Sequence, residues 1–535
     1  MRAASLLPSG FGARHLALLS LITLSSGDTS PRAASWATKS VGPDGPWNVV
    51  NVSIGDNAQY LSLFPGRAWQ TVVPTSLYCT KNASISHCAA GSYKDIQNTP
   101  IQLRPNAQDA MAGIQIQGKK MTMYTDTIDI AGPVPNCSLV LLEDQMMVYP
   151  SGKWFPMFAG CLNVGAPTEN QTFSRDLQPG SEYPWYLYKH NNIPSSSFGM
   201  HIGSTSPAST MSGSLNFGGF DRNRVTGNVL TLPGSPLATV PLTDISIKVI
   251  KGKSPFAFSD KTGLLISGNS SMPKSGIPVS LDGCSPYFTL PKSTCDSIST
   301  YLPVTYNNSL GLYLWNTKDH AYQHLMKSAS TLSFTIMGFD NTKSITINVP
   351  FQHLNLTLDP PLVDTSMPYF PCSTGGPGFY SLGRAFLQDA FLAANWGRGS
   401  WWLAQAPGPN IPSNPDVVSI DPSDVSISGS NNDWVASWDT VWSDLAASEG
   451  GDNPPSGSSS NSTSDSGLSA GAKGGIGAGV GVGFLIVVLG VWFWWRKRQG
   501  QDQAAQPKTT PQTQAPIEVS GISARNHQFE RYELS

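Results

Sequence analysis

The sequence predicts a mainly β body of two lobes built by internal duplication, followed by a stalk and a C-terminal transmembrane helix. Two segments show the duplication. One runs Val52-Ser53-Ile54-Gly55, Leu61-Ser62-Leu63-Phe64-Pro65-Gly66, Val72-Val73-Pro74 and Cys79; the other runs Val279-Ser280-Leu281-Asp282-Gly283-Cys284, Thr289-Leu290-Pro291 and Cys295. In each, an apolar strand enters a short turn, leaves as a second apolar strand and ends at a proline, with a cysteine soon after. The strand content comes from short apolar runs between Gly, Pro, Asn and Ser, such as Leu139 to Leu142, Ile245 to Ile250 and Ser344 to Val349. The membrane helix comes from Gly474 to Trp495, 22 uncharged residues closed by Arg496-Lys497-Arg498.

Taken in order, residues 1–26 read as a secretory signal. Arg2 and Arg14 precede the apolar run Leu16 to Leu24, and Ser25, Ser26 and Gly27 follow it. Residues 27–45 read as an irregular lead-in, and the two-lobed domain occupies residues 46–406. Long helical periodicity is scarce there; short helices are expected at Ser293–Tyr301 and Arg384–Ala390. From Pro407 to Lys473 a Pro-rich and then Gly/Ser/Asn-rich segment predicts a disordered stalk, because it offers too little apolar surface to fold. One island interrupts it: Trp434, Trp438, Trp442 and Leu445 would share one helix face. That helix would either dock on the body or meet a membrane surface or partner. The basic cluster and the Trp492, Trp494, Trp495 belt place the C-terminal end of the span in the cytoplasm. Residues 496–535 form the tail. The expected product is a single-pass type I protein of the cell surface or a secretory-pathway membrane, N-terminus outside.

Composition excludes several classes. With 13% charged residues and a formal net charge of −2, nothing favours nucleic acid. Seven cysteines form no Cys-x-x-Cys pair, and of eight histidines only His320 and His324 stand four apart, with no third ligand evident. No metal and no cofactor are expected. Neither Gly-x-Ser-x-Gly nor His-Glu-x-x-His occurs. Asn51, Asn82, Asn136, Asn170, Asn269, Asn307, Asn355 and Asn461 each begin Asn-x-Ser/Thr, all ahead of the span, and are the expected glycosylation sites.

The duplicated turns resemble those of the pepsin-like aspartic peptidases, which read hydrophobic-hydrophobic-Asp-Thr/Ser-Gly once per lobe. Leu63-Phe64-Pro65-Gly66 is similar to the first copy with Asp and Thr replaced; Leu281-Asp282-Gly283-Cys284-Ser285 is similar to the second with Asp kept. Gly213-Ser214-Leu215-Asn216-Phe217-Gly218-Gly219-Phe220-Asp221 resembles the family's stretch between the lobes. Tyr380-Ser381-Leu382-Gly383-Arg384-Ala385-Phe386-Leu387, followed by Trp401-Trp402-Leu403-Ala404, resembles its closing segment. The resemblance is closest to a fungal membrane-anchored branch with degenerate catalytic turns, and it implies the bilobal pepsin-like fold.

It also implies where the chemistry should be. In that family two aspartates share a proton and activate water, so the pair is the mechanism. Phe64 can neither take nor give a proton, which leaves Asp282 as the only candidate catalytic residue. Cys284 replaces a turn glycine, Pro286 lacks an N–H, and no tyrosine lies between Tyr93 and Tyr124, where the family carries its cleft-covering hairpin. Val363-Asp364-Thr365-Ser366 resembles the motif in isolation but lies too close to Gly383 to be a catalytic turn. The expected function is therefore a non-catalytic cleft binding peptide or a cell-wall ligand, or a surface scaffold; the alternative is an acid endopeptidase using Asp282. Disulfides are expected at Cys79–Cys88, Cys295–Cys372 and Cys137–Cys161, each within a lobe, with Cys284 as the unpaired thiol.

Overall fold

A computed structural model describes residues 29–443, apart from 67–69, 82–87, 95–115, 118–120, 174–177, 269, 272–274 and 376–379. The expected signal, the membrane span 474–495 and the tail lie outside the described residues, as do Asn82, Asn269 and Asn461. Among the described residues no helix is long and apolar enough to cross a membrane.

Each half of the chain builds its own sheet. The N-terminal sheet runs, in spatial order, Asn170–Phe173, Gln178–Ser181, Pro133–Leu142, Thr71–Pro74, Cys161–Asn163, Gln59–Gly66, Val50–Ile54 and Met121–Asp129, and the last strand also pairs with Pro133–Leu142. The C-terminal sheet runs Ser344–Pro350, Ala329–Met337, Val240–Lys251, Ile277–Leu281, Ser381–Leu382, Phe288–Leu290 and Cys372–Thr374. The apolar alternation explains the pairing: Val50, Val52 and Ile54 are buried, while Asn51 and Ser53 between them are half-buried. Gly55 takes φ 75° after that strand, a left-handed turn conformation that a glycine adopts without a Cβ penalty.

A third, six-stranded antiparallel sheet draws on both halves: Arg32–Ala33, Ser214–Phe217, Ser197–His201, Ala390–Asn395, Ser400–Gln405 and Thr226–Pro233. Strand Ala390–Asn395 is buried at every position. A continuous run without alternation is what a strand covered on both faces requires. The expected short helices form at Lys292–Ser299 and Arg384–Leu387. The first stops two residues short of Tyr301 because Pro303 disfavours helical backbone at Leu302.

Two expected boundaries are corrected. The described part of the lead-in, residues 29–45, belongs to the body: Arg32–Ala33 joins the six-stranded sheet, and Ala34 and Asp44 are buried. The disordered stalk from Pro407 does not begin there either. Val417–Ser419 pairs antiparallel with Gly219–Asp221, and Ile420 is buried with Phe220, Phe391 and Trp402. The tryptophan island docks on the body, the first of its two expected readings, through the short 3-10 helix Ala436–Trp438; Leu445 lies outside the described residues. Trp438 and Trp442 are buried beside Ala329, with their rings stacked at 5.3 Å. Burying two indoles contributes several kcal/mol, enough to hold a short segment whose average composition reads as unfoldable.

Candidate functional site

The two turns occupy equivalent places. Strand Gln59–Gly66 delivers Phe64 next to the parallel strand Cys161–Asn163, and the Phe64 N–H donates to Gly160 O at 3.0 Å. Strand Ile277–Leu281 delivers Asp282 beside the parallel pair Ser381–Leu382, and the Asp282 N–H donates to Leu382 O at 3.2 Å. The turns then meet backbone to backbone. A Cβ on Gly66 would lie 3.1 Å from Cys284 N and collide with its sulfur; one on Gly283 would collide with Pro65 O. Glycine is required at both positions by this close approach.

What surrounds the meeting point is not a pair of carboxyls. Asp282 is 1% exposed and its Oδ1 accepts the Cys284 N–H at 2.9 Å. Phe64 faces the buried guanidinium of Arg384, 3.8 Å from the ring centroid. Arg384 donates through Nη1 to Gly283 O (3.0 Å) and Cys284 O (2.9 Å), pinning the second turn. Its Nη2 lies 3.8 Å from Asp44 Oδ1, which also accepts the Trp47 indole N–H at 2.9 Å. Burial pulls the Arg384 pKa down and Asp44 pulls it back; burial lifts the Asp44 carboxyl and Arg384 opposes it. A guanidinium has no acceptor and keeps its protons, so it cannot replace the second carboxyl in sharing one.

Space at the site is also closed. The void bounded by Gly42, Asp44, Phe64, Met147, Cys284 and Arg384 measures about 20 Å³. One water needs roughly 10–15 Å³ on such a measure, so the void holds a single water and no substrate. Next to it, Pro150 of the N-terminal lobe and Ser285, Pro286, Tyr287, Thr289 and Ser373 of the C-terminal lobe line a roomier cavity of about 280 Å³.

The cysteines require a correction. Cys79 bonds Cys88 and Cys295 bonds Cys372. Cys161, however, bonds Cys284 with a Cα separation of 5.8 Å, and the free thiol is the buried Cys137. The expected Cys137–Cys161 pair and free Cys284 rested on keeping each bridge inside one lobe. The register overrides that: Cys161 pairs with Phe64 on the parallel strand, and Cys284 sits where the second turn touches Gly66. Burial pushes the Cys137 thiol well up, with Glu182 nearby adding to the effect.

The other candidates fall away from this centre. Asp364 is exposed in a bend ahead of strand Met367–Phe370. His320 and His324 lie one turn apart on helix His320–Lys327 with ring centroids 5.2 Å apart, and no group of three or more potential metal ligands exists among the described residues. Of the sequons, Asn136 and Asn170 are exposed, while Asn51, Asn307 and Asn355 are half-buried.

One constellation carried no sequence signal. Ser209 Oγ lies 2.8 Å from His353 Nε2, and His353 Nδ1 lies 2.8 Å from Asp389 Oδ2. Such an order of groups is recognised by geometry and not by spacing. Here Ser209, His353 and Asp389 are 1%, 3% and 0% exposed, and the Trp438 ring packs on His353 at 4.9 Å. No carbonyl can reach the hydroxyl, so the three serve as a buried hydrogen-bond network.

A family model described as eukaryotic aspartyl protease matches residues 113–406, just over half the chain. The match contains the Asp282 turn and begins after the Phe64 turn. Among solved structures, the chain is similar to an aspartic proteinase from Irpex lacteus, at 15% identity and a TM-score of 0.42, covering 70% of this chain and 99% of that one. No curated protein matches the chain.

Proposed function

The chain belongs to the eukaryotic aspartyl protease family, and from that premise we propose that it is a non-catalytic member whose cleft holds peptide without cutting it. A single observation carries the reading: Phe64 stands where the first carboxyl belongs, stacked on Arg384 at 3.8 Å. Asp282 therefore shares the site with a fixed positive charge, Arg384, and with a ring where the second carboxyl would stand. Neither can exchange a proton with it, and general acid–base catalysis by a pair needs both directions of transfer. The 280 Å³ cavity beside the Asp282 turn, lined from both lobes, supports a binding role for what remains of the cleft.

The test is acid proteolysis by the full chain. Between about pH 3 and 6, where paired carboxyls operate, it should leave an unfolded protein substrate intact. Pepstatin-sensitive cleavage that disappears in Asp282→Asn would overturn the reading in favour of an acid endopeptidase using Asp282.

The same proposal places the protein as a glycosylated, single-pass type I component of the cell surface or a secretory membrane. The apolar run 474–495, the basic residues Arg496–Arg498 and the sequons ahead of it support this. Protease added to intact cells should remove the body and spare an epitope fused after Ser535; loss of the epitope would reverse the orientation.

A further inference from the structure

Away from the cleft, the docked C-terminal segment completes a pocket of about 340 Å³ between two sheets, an ordinary size for a small-ligand site. Asn228 comes from the edge strand Thr226–Pro233 of the six-stranded sheet, Ser344 and Asn348 from the edge strand Ser344–Pro350 of the C-terminal sheet, and Asn432, Asp433 and Trp434 from the segment after Pro407. We propose that this pocket is a carbohydrate-binding site that takes a neutral sugar of one or two rings.

The hydrogen bonds already made inside the pocket determine what is left to offer. Asn348 Oδ1 accepts from Ser333 Oγ at 2.7 Å, which leaves its amide N–H groups as donors. Asn432 Nδ2 donates to Asn223 Oδ1 at 3.3 Å, leaving its Oδ1 as an acceptor. Asp433 Oδ1 accepts the Ala436 N–H at 2.7 Å, leaving Oδ2 as an acceptor. Asn228 and Ser344 supply both kinds of group. A mixed set of preset donors and acceptors suits hydroxyls, each of which gives one hydrogen bond and accepts others. The half-buried Trp434 forms an apolar wall against which the C–H face of a sugar ring can pack.

Other ligand classes fit less well. The lining has no lysine or arginine and one carboxylate, which disfavours phosphates and acids. A peptide adding as a strand needs free backbone at the sheet edge. At Asn348 that edge is capped: Gln405 Oε1 accepts the Asn348 N–H at 2.7 Å, and Gln405 Nε2 donates to Asn348 O at 3.1 Å.

The proposal stands on the fold alone and is independent of whether the cleft is catalytic. It is tested by saturation-transfer NMR on the full chain, enzymatically deglycosylated, with cellobiose, mannobiose, N,N′-diacetylchitobiose and digalacturonate as probes. At least one neutral disaccharide should bind, and digalacturonate should not. Asn228→Ala and Asn432→Ala should each weaken binding about tenfold, the ordinary cost of losing a ligand hydrogen bond. The exposed Asn228 guards against misreading a folding defect, since its truncation leaves the melting temperature unchanged. Absence of any neutral-sugar binding at about 10 mM, affinity unchanged in both variants, or preference for the acidic probe would overturn the assignment.

Discussion

Replacing Cys161 and Cys284 together by alanine should destabilise the protein more than replacing Cys79 and Cys88. The Cys161–Cys284 bridge spans 123 residues of sequence and the Cys79–Cys88 bridge spans 9. In the chain-entropy picture a loop near the first length restrains the unfolded state by about 5 kcal/mol and one near the second by about 2.5–3 kcal/mol. The difference, about 2 kcal/mol, is more secure than either value because it cancels the shared constant. Urea unfolding followed by tryptophan fluorescence under non-reducing conditions reads it directly. The bridge also joins strand Cys161–Asn163 of one lobe to the Asp282 turn of the other, so its loss should let the two sheets unfold in separate steps. Alkylation of the denatured, unreduced chain should label one cysteine, Cys137. Equal destabilisation by the two double variants, or recovery of a Cys137–Cys161 peptide, would refute the cross-lobe bridge.

Stability should be greatest on a mildly acidic plateau. Burial pushes the Glu182 carboxyl, held by Asn163 and Gln171, up to about 8 from 4.5, so its contribution is complete below 4.5 and is lost as pH rises toward 8. Burial, helped by Arg224, lowers His201 from 6.5 to about 3, so its contribution is complete above 6.5 and is lost as pH falls toward 3. The two cancel between 4.5 and 6.5, and each flank, from 6.5 to 8 and from 4.5 to 3, amounts to about 2 kcal/mol. Glu182→Gln should flatten the decline of melting temperature above pH 6.5; a decline parallel to the wild type would show that another group controls it. Phe64→Asp alone should produce no peptidase activity, because the new carboxylate would ion-pair with Arg384 and stay ionised. Activity against unfolded protein in that single variant would contradict the role given to Arg384.

The fold was legible because its signals are local. The two turns, the stretch Gly213–Asp221 and the closing segment after Tyr380 each read from a few adjacent residues, and each lies where the duplicated sheets need it. The site was half legible: Phe64 and Asp282 occupy the expected turns. The groups that decide their chemistry come from elsewhere in the chain. Arg384 reads as part of a structural motif, and Asp44 falls in a stretch that looks irregular, yet Arg384 lies against Phe64 with Asp44 beside it. Cys161 and Cys284 are separated by 123 residues, so no spacing rule pairs them. The segment after Pro407 was misjudged because composition averages over a window, whereas Ile420, Trp438 and Trp442 anchor it as individual buried side chains.

The altered residues at the turns also support one another physically. A proton-sharing carboxyl pair would need a second acceptor at the meeting point, and the group there is the Phe64 ring packed on Arg384. With Phe64 there, a buried guanidinium gains a ring to face, and its charge is met by Asp44 and by the carbonyls of Gly283 and Cys284. Those carbonyls hold the second turn in the position from which Cys284 reaches Cys161. Removing any one member leaves a buried charge or a buried polar group without its partner, which is more costly than losing a surface contact. Under the non-catalytic reading, the absence of a second carboxyl and the tie between the lobes have a common basis: the Phe64–Arg384 contact that takes the place of the pair also fixes the turn that carries the Cys161–Cys284 bridge.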